Sequence, residues 1–163
     1  MKTTADHGAC PMRLQNRQTS EDQAWQIVDR SPWGVLSMVD PEGRPYGAAL
    51  SFWRQGRTLY FHCAPEGRKA ECLKADPHVS ICFVAQARML PEAMTMHYAS
   101  AVVRGIARPV TDPEEKRSAM AAMCRSFGVS EDHPMLRDGF SACLPKTAVW
   151  AIVSAEITGK IKQ

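Results

Sequence analysis

The chain has 163 residues, 45% of them apolar and 23% charged, with a formal net charge of +3. That length fits one domain with a sizeable core. A mildly basic chain without a Lys/Arg block falls short of what a nucleic-acid-binding domain carries, so nucleic acid is not an expected partner. The six cysteines form no CxxC pair, which argues against zinc ribbons and thioredoxin-type chemistry. The first residues, MKTTADHGACPMRLQNRQ, lack the apolar stretch of a secretory signal. No apolar run reaches the roughly 20 residues that span a bilayer. The expectation is a cytoplasmic protein with reduced cysteines and no membrane partner.

Residues 1–18 are polar and unpatterned and read as an N-terminal arm; residues 19–163 read as one domain. Ser20 and Gln23 match a capping box, and Ala24, Ile27 and Val28 form the apolar stripe of a first helix. Ser31-Pro32 ends it, because a residue before proline avoids helical geometry. Trp33–Val39, Pro45–Trp53 and Thr58–Cys63 then read as three strands, separated by the turns Asp40-Pro41-Glu42-Gly43 and Gln55-Gly56. Arg68–Ala75 reads as a short helix and Val79–Ala85, almost wholly apolar, as a central, well-buried strand.

Gln86–Met96 reads as a Met-rich loop, and His97–Val110 as a long strand with a bulge at Gly105. Asp112-Pro113-Glu114-Glu115 opens a helix whose Met120, Met123 and Phe127 face the core. Pro134–Cys143 is irregular and partly helical, and Thr147–Ile157 is a last strand. Six strands without β-α alternation fit a mainly β fold, an antiparallel barrel with peripheral helices.

The most informative point is where the third strand runs through Gly67-Arg68-Lys69 into a helix. The glycine permits close backbone approach, the arginine grips a phosphate bidentately, and the lysine adds a point charge. The helix N-terminus adds a partial positive charge. The alternative is a solvated basic helix start, although cations at a helix N-terminus are unfavourable unless an anion neutralises them. His62, at the end of the third strand, is either a polariser or proton relay or a strand histidine bonded to backbone. It and Cys63 are adjacent and face opposite sides, so they do not share a metal, and the other histidines are dispersed. No G-x-G-x-x-G, Walker A or G-x-S-x-G motif is present.

Against this background LYFHCAPEGRKAECLKADPHVSICFV resembles the FMN-binding split-barrel superfamily of pyridoxamine 5'-phosphate oxidase, and more closely its nitroimidazole-resistance branch. Asn16-Arg17-Gln18, HYASAVVRGIARPVTDPEEKRSAM and KTAVWAIVSAEITGK extend the likeness in order along nearly the whole chain. The resemblance implies a six-stranded antiparallel split barrel and a homodimer with FMN at the subunit interface. It implies that Ala48, Ala49, Leu50 and Ser51 run beside the flavin and that Gly67, Arg68 and Lys69 hold the phosphate. It further implies that Phe61 and His62 lie near the ring, with His62 the catalytic candidate, and that Ser100 reaches the partner's cofactor. Ala99 stands where the branch has an arginine, and the oxidase's C-terminal substrate-binding arginine and histidine have no counterpart. The implied activity is FMN-dependent reduction of a small acceptor such as a nitroaromatic, rather than vitamin B6 oxidation. The alternatives are a non-catalytic flavin sensor, or the same barrel carrying haem or a deazaflavin.

Overall fold

A computed structural model describes residues 12–163; residues 1–11, which hold most of the expected arm, lie outside the described residues. One antiparallel sheet of seven strands, in the order β2-β1-β5-β6-β7-β4-β3, curls into a half-barrel. Its strands are β1 (Gly34–Val39), β2 (Pro45–Leu50), β3 (Trp53–Gln55), β4 (Thr58–Cys63), β5 (His78–Leu90), β6 (Thr95–Pro109) and β7 (Ala148–Lys162). The helices are α1 (Glu21–Arg30), α2 (Arg68–Ala75), α3 (Pro113–Ser126) and the short α4 (Pro134–Arg137). The count is seven strands where six were expected. The strand read over 45–53 is two. β2 pairs with β1 and β3 with β4, at opposite edges of the sheet, and the chain crosses between them at Ser51-Phe52. Phe52 causes the break. Its ring turns inward to meet Phe61 and Phe83 edge to face, at centroid distances of 5.8 and 5.4 Å.

The concave face is the main core: Leu36, Leu59, Phe61, Ile81, Phe83, Val103 and Ile152 are all essentially fully buried. Each such side chain is worth roughly 1.5–3 kcal/mol relative to exposure. Ala24, Trp25, Ile27 and Val28 of α1 close one end of this core against β5, β6 and β7. The helix starts at the expected capping box, with Ser20 accepting from the Gln23 N–H and Gln23 accepting from the Ser20 N–H. A second cluster lies on the convex side, where Ala119, Met120 and Cys124 of α3 cover Trp53, Tyr60, Val149 and Ala151. Phe127 departs from expectation: α3 ends at Ser126, and Phe127 is left 51% exposed.

Two further expectations change. The stretch over 86–96 is a hairpin, with β5 and β6 paired out to Leu90 and Thr95 around a tight 3-10 turn. Backbone pairing rather than burial holds it, so its polar, Met-rich composition disguised it. β5 is central, as expected, but well buried on one face only: Val79, Ile81 and Phe83 point inward, whereas Cys82 and Val84 are exposed on the convex side. The bulge expected at Gly105 is present as a register shift between Arg104 and Gly105. The described end of the arm lies on the sheet, where Gln18 bridges Lys160 and the Thr19 N–H donates to the Gly159 carbonyl.

Candidate functional site

α2 packs against β1, and its N-terminus sits where the start of β2 and the end of β4 approach each other. Gly67 precedes it at φ 108°, ψ 175°, a backbone shape closed to other residues, with open space where a side chain would stand. Its first turn is unusual in this protein. α1, α3 and α4 begin with a side chain accepting a backbone N–H, from Ser20, Asp112 and His133 respectively. α2 has no such cap. Its orphan N–H groups lie in the same turn as Arg68 and Lys69, a set that fits an anion.

The two cations are not equivalent. Arg68 Nη2 lies 3.4 Å from Oδ2 of Asp40, and its guanidinium is 4.5 Å from the centroid of the Tyr46 ring. Lys69 is half-buried and has no hydrogen-bond or ion-pair partner among the described residues. Burial pushes the Cys63 thiol up, against the pull of the Lys69 charge, which places that ammonium near the end of β4. Asp40, at the β1–β2 turn, is only 4% exposed. It accepts from the N–H groups of Glu42 and Arg44 at 3.1 and 2.8 Å and from Arg44 Nε at 2.9 Å. Burial pushes its carboxyl up, but these donors outweigh burial and hold it below its ordinary value.

β2 is an edge strand, with β1 on one side only. Tyr46, Ala48 and Leu50 turn toward the core, whereas Gly47, Ala49 and Ser51 are exposed. A row of small residues with free edge backbone therefore leads away from the α2 N-terminus, a surface a flat ring can lie along by main-chain contacts. Phe61 is fully buried in the inner core, so any part it plays is through its backbone. His62 points the other way, its ring 6.2 Å from that of Trp53. Burial lowers its pKa from the ordinary 6.5, which leaves the neutral imidazole as the form present at neutral pH.

Ser100 is not brought to this site within one chain. It lies on the convex face of β6, opposite Lys160 and Val84, in a shallow depression with Val102, Arg104 and Glu156. Asp40 and Tyr46, which hold Arg68, escaped the sequence reading. An aspartate opening a turn ordinarily serves that turn alone, and nothing local marks it as buried under α2. Among the described residues no group of three or more His, Cys, Asp or Glu is placed to hold a metal ion. No helix among them is long and apolar enough to cross a membrane.

Residues 20–161 match the sequence model of the pyridoxamine 5'-phosphate oxidase family. The chain belongs to that family. Among solved structures it is similar to a "putative 5-nitroimidazole antibiotic resistance protein" from Bacteroides thetaiotaomicron, with 27% identity over 87% of this chain and 84% of that one and a TM-score of 0.72. A FAD and heme binding protein from Mycobacterium smegmatis shares 18% identity over 90% of this chain and 74% of that one, with a TM-score of 0.76. A FAD-binding protein from Mesorhizobium loti shares 18% identity over 90% of this chain and 98% of that one, with a TM-score of 0.67. At 18% identity these two show the shared fold alone. No curated protein is matched by the chain. The family membership bears out the split-barrel resemblance, and the half-barrel with its outlying helices is the shape the family fold requires.

Proposed function

We propose that this member of the family binds FMN and uses it to reduce a small acceptor such as a nitroaromatic. The observation that carries the reading is the uncapped N-terminus of α2, among the described residues the one α-helix without a side-chain acceptor, flanked by Lys69, which has no partner among them. A cofactor ending in a single phosphate fits it. Arg68, Lys69 and the first N–H groups of α2 hold the phosphate, Gly67 lets it approach, and Ala48–Ser51 lie along the rest of the molecule. The flavin, when bound, supplies the electron-transfer chemistry. The chain positions it, excludes water and, through His62, polarises the acceptor or donates a proton to it. The flavin- and haem-binding neighbours support a redox cofactor on this fold, and the Bacteroides protein supports a nitroaromatic acceptor.

The same reading includes a homodimer. On the convex sheet face Val84 is 44%, Ile106 50% and Val153 49% exposed, beside Cys82 and Val102. Exposed apolar side chains of this kind, lying on either side of the Arg104–Glu156 ion pair, mark an interface. A second copy packed there would bring Ser100 to the edge of its partner's cofactor.

The decisive measurement is the visible spectrum of the purified protein, before and after reconstitution with FMN, followed by a nitroimidazole reduction assay. Flavin bands with turnover are the expected result. Flavin bands without turnover make the protein a sensor, and a Soret band makes it a haem protein. A colourless protein that takes up no FMN refutes the reading.

A further inference from the structure

A second concavity begins where the proposed flavin strand ends. It is a cleft of about 580 Å³, within the size range of small-molecule sites, between the C-terminal end of α1, the β2–β3 corner and the C-terminal end of α3. Ser51, the last residue of the proposed flavin segment, and Phe52 form its near wall. Its aromatic surfaces are rigid. Phe52 is wedged edge to face between Phe61 and Phe83, and Trp53 is stacked on Tyr60 with ring centroids 5.9 Å apart. At the far side Phe127 lines the cleft and remains 51% exposed, a large apolar ring that nothing among the described residues covers.

The polar groups of the cleft are unevenly committed. Arg54 is spent on Asp29, with Nε and Nη2 at 2.7 and 2.5 Å from the two carboxylate oxygens. Arg30 also lines the cleft and has no ion-pair or hydrogen-bond partner among the described residues. Trp53 is 3% exposed, and its indole N–H, sealed from solvent, has no acceptor among the described residues. An aromatic-walled cleft with one unpaired cation calls for a flat ring carrying a group of negatively charged oxygens.

We infer that this cleft binds a planar aromatic ligand bearing an oxyanion group such as a carboxylate, held between Phe127 and the Phe52–Trp53 corner with its oxygens toward Arg30. The role of that ligand as electron acceptor rests on the flavoprotein reading, since Ser51 belongs to both surfaces. Its binding does not. The test is calorimetric titration of the purified protein with 4-nitrobenzoate, with flavin content read separately from the visible spectrum. Saturable binding is expected, weakened about tenfold or more in Phe127→Asp and several-fold in Arg30→Gln. Both positions are exposed, and thermal melts verify that the variants are folded. No saturable binding, or folded variants that keep the wild-type Kd, overturns the inference whatever the flavin content. Absence of flavin with intact cleft binding instead removes the cofactor reading and leaves the cleft standing.

Discussion

Arg68 is tied to Asp40. One end of its guanidinium reaches the buried carboxylate at 3.4 Å while its plane lies over Tyr46, so the β1–β2 turn positions the first residue of α2. Lys69, one residue on, has no such tether. The pair read from sequence as one basic clamp is a fixed, partly neutralised arginine beside a free lysine.

The division ranks the two cations. Lys69→Ala removes the uncompensated charge, and hydrogen bonds to charged groups are worth about 1.5–3 kcal/mol. FMN affinity is expected to fall roughly tenfold to more than a hundredfold. Arg68→Ala costs less affinity but also loosens α2 from the turn, so its melting temperature falls where that of Lys69→Ala does not. The double variant loses most of its FMN. Titration of apoprotein by flavin fluorescence quenching orders the three; unchanged binding in the double variant removes the phosphate assignment.

Asp40 couples acidity to stability. Its folded pKa lies below the ordinary 3.8, so its contribution is fully present above pH 3.8 and is lost as pH falls through the folded value. Asp40→Asn is expected to melt lower at neutral pH and to show a shallower decline in acid. Parallel melts across the acid range check this, and coincident slopes for the two proteins reject it.

His62 has the opposite chemistry but the same sense of pH dependence. Burial depresses its pKa below 6.5, so stability from the neutral imidazole is complete above 6.5 and declines as pH falls toward the folded value. If the proton it carries serves the acceptor, turnover rises over that same acid interval. His62→Gln retains flavin and flattens the rise. A pH profile of kcat that is identical in the variant excludes His62 from proton supply.

Gly105 is required by close approach rather than by dihedral angle. A methyl group there would run into the carbonyl oxygen of Val153, with Ile152 Cγ2 3.0 Å away, at the bulge that lets β6 turn along β7. Gly105→Ala is expected to cost about 1–3 kcal/mol, as overpacking does. For a chain of this size each kcal/mol is about 2–4 °C of Tm. A differential scanning experiment that finds no loss argues that the bulge relaxes freely.

The convex face tests assembly. Val84→Glu combined with Ile106→Glu is expected to convert a dimer to a monomer by light scattering, with loss of flavin because Ser100 no longer meets the partner's site. A wild-type monomer that retains flavin sinks the dimer.

Much of this was legible locally. The box of Ser20 and Gln23, the Asp112 cap, the Gly105 bulge and the Gly67 entry to α2 depend on side chains within a few residues of each other, and each stands where the residues put it. The placing of Arg68 and Lys69 in the first turn of α2 was legible for the same reason. The hairpin beyond Gln86 was not, because strands held by pairing alone carry no burial pattern. Nor was the split of residues 45–53, because Phe52 breaks the strand in answer to Phe61 and Phe83, which are distant in sequence or across the sheet.

The sequence by itself thus determined the mainly β class, the helix starts and the cationic corner, since those follow from neighbouring residues and backbone preference. Only the tertiary structure decided that Asp40 restrains Arg68 while Lys69 stays free, that Phe61 is core while His62 is outward, and that Phe127 lines a cleft beginning at Ser51. Those relations join residues up to 76 positions apart, Ser51 to Phe127. They exist only once the sheet has curled and α1 and α3 have closed over its ends.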